Sequence, residues 1–160
     1  MATYKINKYL IFILFIILAA LTSAFIIEYI LLHTPCNLCL YERVPYIISI
    51  FLILEILFIK KHVKTTLLLL SLIFILSAGL AFYHFGIEQG FFNESFACKS
   101  KDISEITTKD ELLEQLKRNT ISCKEVTFKV IGLSLASINT IFSIFLSVIF
   151  LKLYSNYEKD

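Results

Sequence analysis

Apolar residues along this chain arrive in long unbroken blocks, not with the alternation of a half-buried strand or the 3.6-residue stripe of a surface helix. The first block runs from Tyr9 to Ile27 without a charge and continues past Glu28 to Leu32. The second runs from Val44 to Ile59 and contains Glu55. The third runs from Thr65 to Phe85, uncharged when His84 is neutral, and the fourth from Val130 to Leu151 carries no charge. A helix crosses a bilayer core with roughly 20 apolar residues. The second block has only 16; Leu38 and Leu40 extend it, and Glu55 lies near enough to Lys60 and Lys61 to reach the same interface. The pattern predicts an all-α membrane protein: one domain over residues 1–160, folded as a four-transmembrane-helix bundle. The spans fall at about 9–32, 42–59, 65–85 and 130–152, with loops at about 33–41 and 86–129.

Composition strengthens this picture. Of the 160 residues, 58% are hydrophobic, with 15 Phe and no Trp, and the mean hydropathy is +0.78. A soluble domain is about 45–50% apolar even when Gly is counted. The net charge of +2 gives no reason to expect nucleic acid as a partner. Lysines set the orientation. Lys5 and Lys8 precede the first span, and Lys60, Lys61 and Lys64 crowd the connection between the second and third, whereas the loop from His33 to Arg43 has Arg43 alone. The positive-inside rule then places both termini and the Lys60–Lys64 loop in the cytoplasm and the other two loops outside. A cleaved signal peptide is the rival reading of the first block, with Thr22-Ser23-Ala24 near the cut. The apolar run exceeds the usual h-region and resumes beyond Ala24, which disfavours it.

The long loop from Gly86 to Lys129 mixes seven basic with eight acidic residues. Within it, residues 108–118 predict a short helix: Thr108 is a plausible N-cap with Glu111 at capping-box spacing, and Leu112, Leu113 and Leu116 share a face. That face suits a membrane surface, although an ordinary solvated helix fits equally well.

All four cysteines lie outside the apolar blocks. Cys36 and Cys39 form a C-x-x-C pair just after the first block, the usual spacing of a reversible dithiol. Arg43 follows, and Pro45 suits the first turn of the second span. Cys39 would then sit near a helix N-terminus beside a permanent cation, two effects that favour a thiolate. Cys98 and Cys123 are more widely spaced. If bridged, they close a loop of about 26 residues, worth roughly 3–4 kcal/mol in the chain-entropy model. A structural staple, inert thiols and an electron relay between the pairs all remain open at this point. A zinc site from all four cysteines would need a second close-spaced knuckle, which is absent. Arg43 fits either a snorkelling flank or a group that polarises an electron acceptor. His84, near the end of the third block, fits a satisfied interfacial residue or a donor to a bound cofactor. Glu88 reads as solvated, and Glu28 and Asn139 as helix–helix contacts.

Pro35-Cys-Asn-Leu-Cys-Leu-Tyr-Glu-Arg43 resembles the signature of the DsbB family, disulfide bond formation protein B. The four-span topology, a second cysteine pair before the fourth span, Tyr83-His-Phe-Gly-Ile-Glu88, and Ser122-Cys-Lys-Glu-Val126 followed by Gly132-Leu-Ser-Leu-Ala136 agree with it. The resemblance implies a quinone-dependent thiol oxidoreductase of the bacterial inner membrane, with both cysteine pairs periplasmic. It would reoxidise a DsbA-type thioredoxin-fold donor. Cys98 would form the mixed disulfide with the partner, Cys123 would pass the electrons to Cys36, and Cys39 and Arg43 would face the quinone (ubiquinone or menaquinone), with His84 a weaker carry-over. No metal, haem or flavin is implied. Some members place a Trp near the fourth span; Phe128 is the candidate replacement here. A DsbA-type donor stands at roughly −120 mV, so a membrane quinone is a sensible terminal acceptor. The competing class is a four-span scaffold with structural disulfides in its outer loops. The vitamin K epoxide reductase type also uses four spans and a C-x-x-C, but places that pair late in the bundle.

Overall fold

The structure is a computed structural model and describes residues 2–93, 98, 122–124, 128–130 and 132–158. The short helix expected over 108–118 lies outside the described residues. Four long helices account for most of what is described: α1 (Ala2–Phe25), α2 (Asn37–Phe58), α3 (Val63–Glu88) and α4 (Leu135–Glu158). A two-residue hairpin, β1 (Lys129–Val130) and β2 (Leu133–Ser134), precedes α4, with Lys129 opposite Ser134.

Among the described residues, three stretches are long and apolar enough to cross a membrane: Ile6–Ile30, Val63–Glu88 and Leu135–Tyr157. The α2 helix, which carries Glu42, Arg43 and Glu55, is not among them. The helices are apolar outside as well as inside. Phe12, Phe15, Phe51, Leu76 and Phe145 point away from the protein, while Leu10, Ile17, Ile53, Leu67 and Leu70 fill its interior. A helix that is hydrophobic all round belongs in lipid or in a very large core.

The middle of the bundle is packed with rings. Phe74 stacks on Phe150 at 5.6 Å and meets Tyr46 edge-on at 5.5 Å. On either side of Phe74, α3 meets α4 through small polar residues. Asn139, Ser143 and Ser147 recur every four residues on one face of α4. Ser143 faces Ser77 at 3.2 Å, and Ser147 faces Ser71 at 3.4 Å. Small residues let membrane helices come close, and their hydroxyls then find partners across the gap.

The helix ends explain where the site forms. α1 closes in a π-helical turn, Ile26–Ile30, in which the Leu31 N–H reaches back to the Ile26 carbonyl. Glu28 sits in this wider turn. α2 begins at Asn37, with Cys36 as its N-cap: the Cys36 sulfur accepts the Cys39 N–H at 3.3 Å. Pro45 therefore lies inside α2 and not in its first turn, because the cysteine cap starts the helix earlier than the apolar run does. α3 ends in a Schellman motif around Gly90, whose φ of +77° suits glycine. Gly90 N–H bonds the Ile87 carbonyl, and Phe91 N–H the Gly86 carbonyl. A Cβ on Gly86 would run into the Phe92 ring. α4 starts at Leu135 although its apolar run opens at Val130. Gly132, with φ +82°, turns the hairpin, and Ser134 caps the helix by accepting the Ser137 N–H at 3.2 Å.

Candidate active site around Cys36 and Cys39

These helix ends converge on Cys36 and Cys39. The two sulfurs lie 2.8 Å apart as free thiols. Cys36 is buried and Cys39 is half-buried. The Nε2 of His84, from α3, stands 3.5 Å from the Cys36 sulfur. Its Nδ1 bonds the Glu42 carboxylate at 2.7 Å. The other Glu42 oxygen accepts the amide N–H of Asn139, from α4, at 2.6 Å. Asn139 accepts the Tyr46 hydroxyl proton through its own side-chain oxygen. Three helices are thus joined by one continuous polar network that ends on a sulfur.

Charge within the pair is settled by these contacts. The hydrogen bond from Cys39 is the main cause that pulls the Cys36 thiol down to about 4; His84 adds to it, and burial works against it. Cys39 is pushed up, chiefly by the same shared proton and by burial. Thiolate character therefore falls on Cys36, whereas Arg43 and the helix start alone favour Cys39. The cap is at Cys36, and Arg43 is engaged elsewhere: its guanidinium is ion-paired with Glu28 of the π-turn and lies 5.1 Å from the Phe25 ring centroid.

A cavity of about 470 Å³ opens beside the pair. Ile16, Ala20 and Ala24 of α1 form an apolar wall, with Ala136 and Phe142 of α4 also lining it. Cys36, Cys39, Glu42, Arg43, His84 and Asn139 supply its polar part. His33 and Phe128, whose rings are 5.2 Å apart, also line it.

Cys98 and Cys123 are disulfide-bonded, with Cα atoms 5.4 Å apart. They do not line the cavity. They share a buried apolar cluster with Cys36, Leu38 and Ile87. The structure thus brings Cys36, Cys39, Arg43 and His84 to one cavity and sets the second cysteine pair against Cys36. Glu42, Asn139, Tyr46 and Glu88 complete the site without having stood out as site residues in the sequence. Glu42 lies within the Tyr-Glu-Arg run and Asn139 is a polar residue in an apolar block, so both left a trace there. Glu88 is not solvated: its side chain is 6% exposed and faces His84 at 3.8 Å. Ser134, just before α4, hydrogen-bonds its carboxylate. Glu28 is a helix–helix contact, and its partner is Arg43.

An apolar helical protein with a close-spaced dithiol set beside a second cysteine pair belongs to the class of membrane thiol–disulfide proteins. The model of the family described as "Disulfide bond formation protein DsbB" matches residues 7–153, and the chain belongs to that family. It is also similar to an uncharacterized protein of Rickettsia prowazekii, RP370: 34% identical over 143 residues, covering 88% of this chain and 83% of the relative. No solved structure matches the chain. Membership brings a role in disulfide-bond formation at a membrane.

Proposed function

We propose that this protein oxidises a reduced DsbA-type thioredoxin-fold partner outside the bacterial inner membrane and delivers the electrons to a membrane quinone. The observation that carries this reading is the placement of Cys36 between the Cys98–Cys123 bridge and the cavity. α2 would be the fourth span, with the termini cytoplasmic and both cysteine pairs periplasmic, in line with the lysine distribution.

A partner thiolate attacks Cys98, forming a mixed disulfide and releasing the Cys123 sulfur. The partner's second thiol resolves it, and the partner leaves oxidised. Cys123 attacks Cys36 of an oxidised Cys36–Cys39 pair and frees Cys39. Cys98 then attacks Cys123, restoring that bridge and leaving Cys36 and Cys39 reduced. Each exchange transfers one electron pair and needs a thiolate as nucleophile. Although Cys36 holds the negative charge when both sulfurs are reduced, Cys39 is the free sulfur while Cys36 is bonded to Cys123, and Cys39 lines the cavity.

The cavity suits a quinone ring with its apolar tail. It is mostly apolar, with Arg43, His84 and Asn139 available to carbonyl oxygens. A bound quinone would supply a two-electron, two-proton acceptor. The chain itself would orient the ring through Arg43 and hold protons on the Glu42–His84 pair. Quinone reduction by the purified protein, driven by a reduced DsbA-type partner, tests the reading. Turnover that disappears in Cys39→Ser supports it. A folded protein that reduces neither ubiquinone nor menaquinone would turn the reading towards a scaffold stapled by Cys98–Cys123.

A further inference from the structure

We propose that the Cys36–Cys39 dithiol, together with His84, forms a binding site for a thiophilic tetrahedral cation such as Zn²⁺. This rests on reading the pair as one that passes through the dithiol state. It does not require the quinone or the thioredoxin-fold partner.

Three observations point to it. The two sulfurs and a ring nitrogen of His84 all lie within 4.8 Å of one another. Two thiolates and an imidazole, with C-x-x-C spacing, match the Cys₂His set of open zinc sites. The 3.5 Å between the Cys36 sulfur and His84 Nε2 equals the edge of a tetrahedron whose bonds are about 2.3 Å to sulfur and about 2.0–2.1 Å to nitrogen. The sulfurs themselves, at 2.8 Å, would have to part by roughly an ångström to hold a metal. Cys39 is only half-buried and borders the cavity, so its side chain has room to turn.

His84 is also prepared as a ligand. Metal-bound histidines commonly give their other ring N–H to a carboxylate, which fixes the tautomer and aims the free lone pair. Glu42 occupies that position at 2.7 Å from Nδ1, and Asn139 holds Glu42 in turn. Nε2 is thereby left facing Cys36.

Glu88 is the third observation. Its carboxylate lies 3.8 Å from His84 Nε2, it borders the same cavity, and its Oε2 is buried with no hydrogen-bond partner among the described residues. A buried carboxylate oxygen without a donor is costly, and a cation is one way to satisfy it. Glu88 stands beside His84 but outside the Cys36–Cys39–His84 group, so it would reach a bound cation through a water.

Binding replaces the one proton the two sulfurs share with a divalent metal: the Cys36 thiolate, the Cys39 thiol and Zn²⁺ give a zinc dithiolate and one proton. The same sulfurs cannot be a disulfide and a ligand pair. Occupancy would therefore be confined to the reduced protein and would block its reoxidation, making Zn²⁺ an inhibitor that acts on one redox state.

Cobalt is the probe. Full-length protein with Cys98→Ser and Cys123→Ser, so that only Cys36 and Cys39 remain, is reduced and titrated anaerobically with Co²⁺ in detergent. The expected result is one equivalent of cobalt with a thiolate-to-cobalt charge-transfer band and tetrahedral d–d absorption, displaced by Zn²⁺ and absent from the disulfide form. Glu42→Gln should weaken binding by about 10–100-fold, the usual effect of losing a carboxylate behind a histidine ligand. His84→Gln should weaken it further, and Cys36→Ser should remove most of the charge-transfer intensity. A reduced protein with no such band overturns the site. So does a band that both His84→Gln and Glu42→Gln leave unchanged, because the cation would then be held without the histidine. A negative titration in a parent protein that still reduces quinone rejects the metal site alone. A positive titration beside an inactive parent rejects the oxidoreductase reading alone.

Discussion

Cys36 is almost as sheltered as the Cys98–Cys123 bridge, yet the two places are differently furnished. Cys98 and Cys123 are 2% and 1% exposed, and Cys36 is 6% exposed. All three belong to one apolar cluster. Around Cys36, however, stand His84, Glu42 and the Cys39 thiol, whereas Leu38 and Ile87 are the apolar side chains buried in the cluster with the Cys98–Cys123 bridge, and Leu80 and Tyr83 pack against it. Burial by itself favours a neutral thiol. A sulfur becomes a ready thiolate in a buried place only when donors are aimed at it. The contrast teaches that the chemistry of each pair is set by its immediate donors and not by its depth.

The largest effect expected from breaking this contrast is on turnover. Cys36→Ser or Cys39→Ser should cut quinone reduction to below about a thousandth of the parent rate, because a serine can neither exchange nor store the electron pair. Cys123→Ser should instead trap a mixed disulfide between Cys98 and a thioredoxin-fold partner, seen as a reducible band on a gel. If Cys98→Ser in that background leaves the band in place, the assignment of Cys98 fails.

Next in size is Glu42→Gln, which keeps the shape of the side chain but removes the charge that orients His84. Steady-state quinone reduction should fall by about 100-fold, at the lower end of what a positioned acid–base group contributes. An unchanged rate would make the Glu42–His84–Asn139 network purely structural.

A pH profile sharpens the comparison further. The hydrogen bond from Cys39, helped by His84, lowers Cys36 to about 4, so the thiolate is favoured well below the range of an ordinary thiol. The sign follows: its charge stabilises the reduced folded state fully above the unfolded value, and that stabilisation is lost as pH falls through about 4. Alkylation of Cys36 should therefore keep a flat rate from neutral pH down to about 5, whereas an ordinary thiol slows roughly tenfold per unit below its pKa of about 8.5. His84→Gln should move the fall to higher pH.

The smallest effect on chemistry is expected from the aromatic packing in the middle of the bundle, behind Tyr46. Phe74→Ala removes a ring packed against Phe150 and Tyr46 and should cost about 3–5 kcal/mol of stability. The pH profile of Cys36 alkylation should stay as it was, provided the variant is assayed where it remains folded.

Much of this was legible along the chain. Blocks of apolar residues mark the membrane helices because lipid demands apolar surface on every side, and the C-x-x-C pair and Arg43 stand out by spacing. What the sequence hides is contact between distant helices. Nothing in the order of residues says that Glu28 neutralises Arg43, since that depends on a π-turn 15 positions earlier. Nor does it say that Glu88 is covered, since Ser134 must first be brought to it from the hairpin before α4. Hydropathy also misplaced the start of α4 by five residues, from Val130 to Leu135. Val130 and Leu133 are as apolar as any helical residue, but Gly132 and Ser134 decide the backbone there.

The depth of the Cys98–Cys123 bridge has one more consequence. If the bridge is the oxidant of the proposed reaction, its 1–2% exposure insulates it. Small thiols diffusing in the same compartment would seldom find a line of attack on it, while a docked protein could open the surrounding chain and reach Cys98. The shelter would act as a toll gate, admitting a reductant for its shape as well as for its sulfur, and would keep oxidising power from leaking away between encounters.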